Sequence, residues 1–210
     1  MSPSVIAKKA AGAGMDAAAI SDHNTALNCR SFEVCCRKEG VTPIYGIEVT
    51  SLEEAHILCL FSDLDAAEDL GRIIYDKLPD IPNNPEKFGD QIWVDEDENI
   101  LGELEKYLIS AAELSLDQLI ELVHDRDGLF IPAHIDKPVF SIPSQLGFLP
   151  PMDYDALETT VLPCPVETGK YRLIQNSDAH YPDDIAKRFT ILEAAGSSGS
   201  AILKSVKTPE

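Results

Sequence analysis

The chain has 210 residues, and its 36 acidic and 17 basic side chains give a formal net charge of −19. One domain with a substantial core fits this length, and the hydrophobic content of 44% is that of an ordinary globular protein. The acidic balance argues against duplex nucleic acid as a partner, because proteins that bind it usually carry a basic face. A small phosphorylated substrate fits this charge, because bound cations can reverse the local field.

The first third of the chain predicts helices that alternate with strands. The predicted elements are a helix from Pro3 to Ala11, a strand at 17–20, a helix from about Thr25 to Glu39, strands at Thr42–Thr50 and Ala55–Phe61, and a helix from Asp65 to Lys77. Such alternation is typical of an α/β fold with a mainly parallel sheet or barrel. In these folds, ligands bind at the carboxyl ends of the strands.

Residues 78–101 are rich in proline, asparagine and acidic side chains, which predicts an irregular insertion with a short hairpin. We expect this insertion to lie within a single domain of residues 1–210. The elements predicted after it are helical segments near 102–113 and 115–125, a strand at Leu129–His134, irregular connections at 138–165 and a last strand at Tyr171–Asn176.

The cysteines and the apolar runs bear on where the protein is found. The cysteine count is 5, an odd number, and no Cys-x-x-Cys pair occurs, which favours reduced thiols. No apolar run approaches the roughly 18 residues that span a membrane. Asp16 interrupts the apolar stretch near the N-terminus, so that stretch does not resemble a signal peptide. We therefore expect a cytoplasmic protein with no membrane partner.

Histidines gather at the predicted strand ends. His23 follows the first predicted strand, and His56 lies at the start of the strand Ala55–Phe61. His134 ends the strand that begins at Leu129, and His180 follows the last strand. The remaining histidine, His124, falls at the end of a predicted helix, where the helix dipole favours an imidazole. The four strand-end histidines are therefore candidates for a common site.

The two strands on either side of residues 51–54 place a carboxylate near an imidazole. If they pair as a hairpin centred on Leu52, Glu48 lies directly opposite His56. Side chains in that relationship share a face and have Cβ atoms roughly 4.5–5.5 Å apart. Such a pair could hold one metal ion, although a cross-strand pair on a solvated surface has the same spacing.

Two further pairs of polar side chains follow strands. Asp178 and His180 have the two-residue spacing that directs side chains the same way in an extended chain. Asp22 and His23 are adjacent, so a strand directs them to opposite faces. We expect His23 to enter the site and Asp22 to orient a neighbouring group from behind it.

Imidazole and carboxylate groups together suit Zn, Mn or Fe. Several such ligands converging on one place favour a centre of two or three metal ions, which suits phosphoester hydrolysis by a metal-activated water. The sequence contains no serine in a nucleophile-elbow context. Metal-dependent hydrolysis is therefore the favoured chemistry.

These motifs resemble those of the PHP (polymerase and histidinol phosphatase) superfamily, and of its stand-alone metal-dependent phosphoesterases in particular. The matching segments, in chain order, are Ile20–Thr25, Gly46–Thr50, Ala55–Leu58, Ile131–Pro138 and Asn176–Tyr181. The resemblance implies a distorted (β/α)7 barrel around a site of two or three divalent metal ions.

The resemblance also implies a role for each candidate ligand. Glu48 would bridge two ions, and His56 and His134 would complete one of them. Asp178 would serve the other bridged ion, and a third ion would be held by the histidines at 23 and 180.

The resemblance suggests a role in substrate binding for one basic residue. Lys137 follows the histidine strand, where a basic side chain could hold a substrate phosphate. A solvated loop lysine is the alternative at this position. The substrate itself would be a small phosphate ester or the end of a short oligonucleotide.

One part of the family pattern has no counterpart here, namely a first strand that carries a His-x-His motif. We therefore expect a barrel whose first strand is missing from this chain. Only the ion held by Glu48, His56 and His134 would keep all its expected protein ligands, which suits a site for a single ion. Either the natural protein has an additional N-terminal segment, or the chain binds one metal or none. Exposed strand edges would favour a homodimer.

The sequence thus leaves several functions open. The first is a metal-dependent phosphoesterase whose activity is impaired by the missing ligand motif. The alternative is a non-catalytic protein that binds a metal or a phosphate ligand. An assembly module that uses the exposed strand edge is a third.

Overall fold

Strands and helices of a mixed α/β fold make up the computed structural model, which describes residues 1–207. The strands are β1 (Ala17–His23), β2 (Thr42–Thr50), β3 (His56–Phe61), β4 (Ile92–Val94), β5 (Ile100–Glu103), β6 (Leu129–Pro132), β7 (Leu157–Glu158) and β8 (Leu173–Ile174). The helices are α1 (Pro3–Gly12), α2 (Cys29–Glu39), α3 (Leu64–Lys77), α4 (Pro85–Phe88), α5 (Leu116–His124), α6 (Ile142–Leu146) and α7 (Gly199–Val206), with a 3-10 turn at Pro182–Asp184.

The main sheet has four strands in the order β1-β2-β3-β6. Strand β1 runs parallel to β2, whereas β3 is antiparallel to both β2 and β6, so the sheet is mixed. Strands β7 and β8 form a separate parallel pair, and β4 and β5 form an antiparallel hairpin. Within residues 1–207 these three sheets do not close into a barrel.

Alternation along β2 and β3 divides the core into two faces. Ile47 on β2 and Cys59 on β3 belong to a large cluster that also contains side chains of α1, α2, α3 and α5. Ile44 and Leu58 point to the other face, into a second cluster that includes Leu203 of α7. Glu48 has the same parity as Ile44, and His56 the same as Leu58, so both polar side chains belong to the second face.

Capping side chains fix the start of two core helices. Asp63 accepts hydrogen bonds from the backbone N–H groups of Asp65 and Ala66 at the start of α3. Ser115 and Gln118 form a capping box at the start of α5. Each satisfies backbone donors that a helix leaves without partners in its first turn.

No helix within residues 1–207 has both the length and the apolar composition needed to cross a bilayer.

The helix predicted near 102–113 is wrong. Residues 100–103 form β5, which pairs with β4, and irregular turns follow. The side-chain amide of Gln91 accepts from the N–H of Leu108, and Asn24 donates to the Leu108 carbonyl at 2.7 Å. Distant side chains therefore satisfy this backbone and override a local preference for helix.

Other predicted boundaries shift by a few residues. Helix α2 begins at Cys29, because the Thr25 hydroxyl accepts the N–H of Leu27 in a turn and Asn24 has a positive φ of 52°. Strand β1 continues to His23, beyond its predicted end at Ile20. The predicted strand at Tyr171–Asn176 is reduced to the two residues of β8.

Candidate metal centre

Four segments bring three imidazoles around one carboxylate. Glu48 Oε1, on β2, lies 3.2 Å from His56 Nδ1 and 3.5 Å from His134 Nε2. Its other oxygen, Oε2, lies 3.4 Å from His23 Nδ1 at the end of β1. Ligand atoms of His23, Glu48 and His56 all lie within 4.8 Å of one another, a grouping that could hold a metal ion.

The hairpin brings Glu48 and His56 together in a register that differs from the predicted one. Glu48 is directly opposite Leu58, and His56 is opposite Thr50. The turn is therefore centred on Glu53 and not on Leu52, and the Ser51 N–H donates to the Ala55 carbonyl across it at 2.9 Å. A shift of two residues keeps both side chains on one face, and diagonal neighbours in a sheet remain within reach of long side chains.

His134 reaches the cluster through an unusual backbone conformation. Strand β6 ends at Pro132, and alternation from Ile131 would direct residue 134 to the opposite face, with Phe130. His134 instead has a positive φ of 32°, which breaks the alternation. Its Nε2 lies 3.3 Å from His56 Nδ1. Positive φ is uncommon for residues other than glycine and recurs at functional sites.

The electrostatics of the cluster suit a cation. Burial alone would raise the pKa of Glu48, but the imidazoles of His134 and His56 hold it well below its usual range. Burial lowers the pKa of His23, despite the opposing effect of Glu48. Glu48 is therefore ionised and His23 neutral near pH 7, and these are the protonation states that bind metal ions.

The buried nitrogens also fit a metal ion. His23 Nδ1, His56 Nε2 and His134 Nδ1 are buried and have no hydrogen-bond partner within residues 1–207. Buried polar atoms without partners are rare, because they lose hydration without compensation. Of these, His23 Nδ1 faces Glu48 directly. A cation between them would satisfy both groups.

The predicted ligands after β8, Asp178 and His180, line a cavity together with His23 and Glu48. This open cavity has a volume of about 940 Å³. The rings of His23 and His180 have centroids 6.3 Å apart. Asp178, which has a positive φ of 48°, pairs its carboxylate with the ammonium of Lys137. The predicted phosphate-binding lysine is thus bound to a predicted metal ligand.

Asp22 and Asn24 lie on either side of His23 in the sequence, and their side chains hydrogen-bond to neighbouring segments of the fold. Asp22 accepts a hydrogen bond of 2.8 Å from Asn28, and burial raises its pKa. Asn24 is fully buried, donates to the backbone of the segment after β5, and accepts from the N–H of Thr50. The Asn24 N–H also donates to the Glu48 carbonyl at 3.0 Å. Asn24 therefore fixes the ends of β1 and β2 beside each other.

Glu158 is a buried carboxylate that the sequence reasoning missed. It ends β7, is 4% exposed, and lines the cavity with Glu48 and Asp178. Burial raises its pKa to about 7, and the nearby charges of Glu48 and Asp178 act in the same direction. An acidic residue after the short apolar run Ala156-Leu157 was the available signal.

Phe140 was also missed. Its ring stacks on the His56 imidazole, with centroids 4.8 Å apart and planes 8° from parallel. Its backbone carbonyl accepts the His56 N–H at 2.8 Å. The side chain of His56 is therefore held between Glu48 and an aromatic ring.

His124 lies apart from the cluster, as predicted. It is the last residue of α5, and its Nε2 is 2.9 Å from Asp155 Oδ2. That hydrogen bond raises the pKa of His124. Asp155 also accepts the N–H of Phe130 and pairs with Lys207. His124 therefore serves as a natural control for the four strand-end histidines.

A model of the PHP domain matches residues 1–161. The chain belongs to the PHP domain family. A search of curated proteins finds no match. The strand-end residues of the cluster at positions 23, 48, 56 and 134 all lie within the matched range of this PHP chain.

Solved structures show the same fold at low sequence identity. The PHP chain superposes on a lesion-specific endonuclease from Pyrococcus furiosus with a TM-score of 0.67, at 18% identity over 99% of this chain and 51% of that chain. For endonuclease Q in complex with a 27-mer duplex that has an abasic lesion at the active site, the TM-score is 0.61, at 18% identity over 98% and 51% of the two chains. A Bifidobacterium adolescentis protein assigned as a metal-dependent phosphoesterase gives 0.60, at 14% identity over 98% and 90%. The PHP chain thus spans about half the length of the endonuclease chains.

The expectation that duplex nucleic acid is excluded is wrong. A protein of the same fold binds a 27-mer duplex substrate. The exclusion was based on net charge, which describes the whole surface and not one site. Phosphate contacts need only a local positive field, which bound cations can supply.

Proposed function

We propose that this PHP protein is a metal-dependent phosphoesterase. The observation that carries the proposal is the Glu48 carboxylate, which has three imidazole nitrogens within 3.2–3.5 Å. Glu48, His56 and His134 would hold one divalent ion, and His23, Asp178 and His180 would hold one or two more. Zn, Mn and Fe all suit this mixture of nitrogen and oxygen ligands. When bound, such ions activate a water molecule and stabilise charge on the attacking and leaving oxygens.

The protein's own residues prepare the site for this role. Glu48 is buried, yet its pKa stays low because the imidazoles of His134 and His56 donate to its carboxylate. The low pKa of His23 keeps its Nδ1 lone pair free for coordination. Phe140 fixes the plane of the His56 ring by stacking. These groups therefore need little rearrangement to bind an ion.

Lys137 is proposed to hold a phosphate oxygen of the substrate. Its side chain is 35% exposed at the edge of the site and pairs with Asp178, whose side chain is 16% exposed. A cation held by Asp178 would compensate that carboxylate and leave the ammonium available to an anion. An ammonium acts on phosphate as a point charge.

Two substrate classes follow from different observations. The likeness to the Bifidobacterium phosphoesterase extends over 90% of that chain. It supports a small phosphate ester or an oligonucleotide end as the substrate. The likeness to endonuclease Q supports a damaged duplex as the second candidate.

Metal content and hydrolysis test the proposal together. We would measure bound metal by mass spectrometry after exposure to Zn²⁺ or Mn²⁺, and turnover of an aryl phosphate, an oligonucleotide and a duplex with an abasic site. At least about one equivalent of metal is expected, lost in His134→Ala and retained in His124→Ala. Turnover should follow metal content in these variants.

Three outcomes would redirect the proposal. Wild-type protein without metal after exposure to both ions would contradict a metal centre. Metal bound without turnover of any of the three substrates would favour the non-catalytic binding protein. Turnover that is equal in His134→Ala and His124→Ala would place the chemistry elsewhere.

A further inference from the structure

Glu158 contacts the one segment of the cluster that departs from regular strand geometry. Its Oε2 accepts the backbone N–H of His134 at 3.1 Å. Its own backbone carbonyl accepts the N–H of the next residue, Ile135, at 2.9 Å. One residue of β7 therefore binds two consecutive backbone donors, immediately after the end of β6.

These two donors lie at the bend that directs His134 into the cluster. Without the positive φ of 32°, strand alternation would place the imidazole on the face occupied by Phe130. A positive φ in a residue other than glycine is strained and persists only where the surroundings determine it. The hydrogen bonds from His134 and Ile135 to Glu158 provide such a determinant.

The contact is well protected from water. Glu158 is 4% exposed and His134 is 3% exposed. A buried N–H that loses its acceptor is destabilising, so the bend would relax if the carboxylate were removed. Any change in the backbone at His134 would move its Nε2 relative to Glu48 Oε1, which is 3.5 Å away.

We propose that Glu158 is a positioning residue that holds His134 in its bent conformation, so that the imidazole faces Glu48. The role is exerted on the backbone of His134, and Glu158 need not touch an ion. This inference rests on the proposed metal centre. It adds a residue from β7 to a site whose other members come from β1, β2 and β3 and from the segments after β6 and β8.

Two substitutions separate the hydrogen bond from the charge and the volume. Glu158→Gln keeps a side-chain oxygen that can accept from His134 and removes the charge. Glu158→Met keeps a similar volume and removes the acceptor. We would measure Zn²⁺ affinity by calorimetry and the visible absorption of the Co²⁺ form, which reports the ligands of the ion. Glu39→Met, at an exposed position of α2, is the matched control.

The expected result is a loss in the Met variant and rescue in the Gln variant. Glu158→Met should lower Zn²⁺ affinity about 10–100-fold, the range found for residues that orient metal ligands, and should alter the Co²⁺ spectrum. Glu158→Gln should stay within about threefold of wild type.

The outcomes distinguish this inference from the proposed function. A wild-type chain that binds neither Zn²⁺ nor Co²⁺ overturns the metal centre. A wild type that binds, with a Met variant that binds equally well, overturns only the role of Glu158. An equal loss in the Gln and Met variants would also overturn it, because charge and not hydrogen bonding would then matter. If the Met variant does not fold, Glu158→Asp takes its place in the experiment. The shorter side chain withdraws the carboxylate from the His134 N–H by one methylene, and the same loss of affinity is expected.

Discussion

Glu48 Oε1 lies 3.2 Å from His56 Nδ1, although the two residues are not opposite each other in the β2–β3 hairpin. Glu48 is opposite Leu58, so the contact is a diagonal one made by two long side chains on the same face. The same carboxylate also faces His23 and His134. It is therefore the centre of the cluster.

Removing the charge of Glu48 should weaken metal binding more than it weakens the fold. Glu48→Gln leaves a side chain of the same shape but removes the negative charge between three imidazoles. Zn²⁺ affinity should fall at least about tenfold in calorimetry, because the protein loses its central anionic ligand. Glu39→Gln, on the exposed end of α2, should bind like wild type. Equal affinities for the two variants would contradict a central role for Glu48.

Gly46 should tolerate no side chain. A Cβ at this position would lie 2.7 Å from the Ile20 carbonyl oxygen and 2.9 Å from a methyl group of Leu60. Gly46→Ala should therefore lower the free energy of unfolding by about 1–3 kcal/mol in urea denaturation. Gly12→Ala is the control, because nothing lies within 4 Å of its added Cβ. A similar stability for both variants would show that β1 and β2 are less closely packed than described.

The pair of His124 and Asp155 should make stability depend on pH. The hydrogen bond from His124 to Asp155 raises the pKa of the imidazole above its usual 6.5, so the contribution of the pair is complete below that value. It is lost as pH rises through the raised pKa, when the imidazole becomes neutral. His124→Gln should therefore lower the free energy of unfolding by about 1 kcal/mol at acidic pH and by less at alkaline pH.

The measurement for this pair is urea denaturation of both proteins at about pH 5.5 and about pH 9, values on either side of the imidazole transition. Burial alone would raise the pKa of Asp155, but His124, the Phe130 N–H and Lys207 hold it below its usual value, so it is ionised at both. Lys207 stays paired with it when His124 is neutral. A difference between the two proteins that is constant with pH would contradict the ion pair.

Asp22 should affect the scaffold and not the metal. Its carboxylate accepts from Asn28, whose own side-chain oxygen accepts the N–H of Val94 in the insertion. Asp22→Asn keeps an acceptor for Asn28 and removes the ionisable carboxyl group. Burial raises the pKa of that group, so its charged form is disfavoured in the fold. Zn²⁺ affinity should stay within about threefold of wild type, and the free energy of unfolding should be unchanged or rise by up to about 1 kcal/mol. A tenfold loss of affinity would instead show that Asp22 orients a metal ligand, the role expected from the sequence.

Local patterns in the sequence determined much of the scaffold. The strand Thr42–Thr50 was predicted with its observed bounds, because a run rich in β-branched and aromatic residues is a local signal. The positions of His23 at the end of β1 and of His134 just after β6 were likewise readable, as was the separate place of His124. The helix predicted near 102–113 failed because its backbone is satisfied by Gln91 and Asn24, which no local window contains.

The sequence by itself determined which residues could bind a metal and the order in which they follow the strands. Only the tertiary structure decided how they meet. Hairpin register depends on the length of the turn, and it moved the partner of Glu48 to Leu58. The direction of His134 depends on a positive φ that Glu158, 24 residues further along the chain, supports through a hydrogen bond. Side-chain period is a local property of a strand, whereas bends and contacts arise from packing between segments that are distant in sequence.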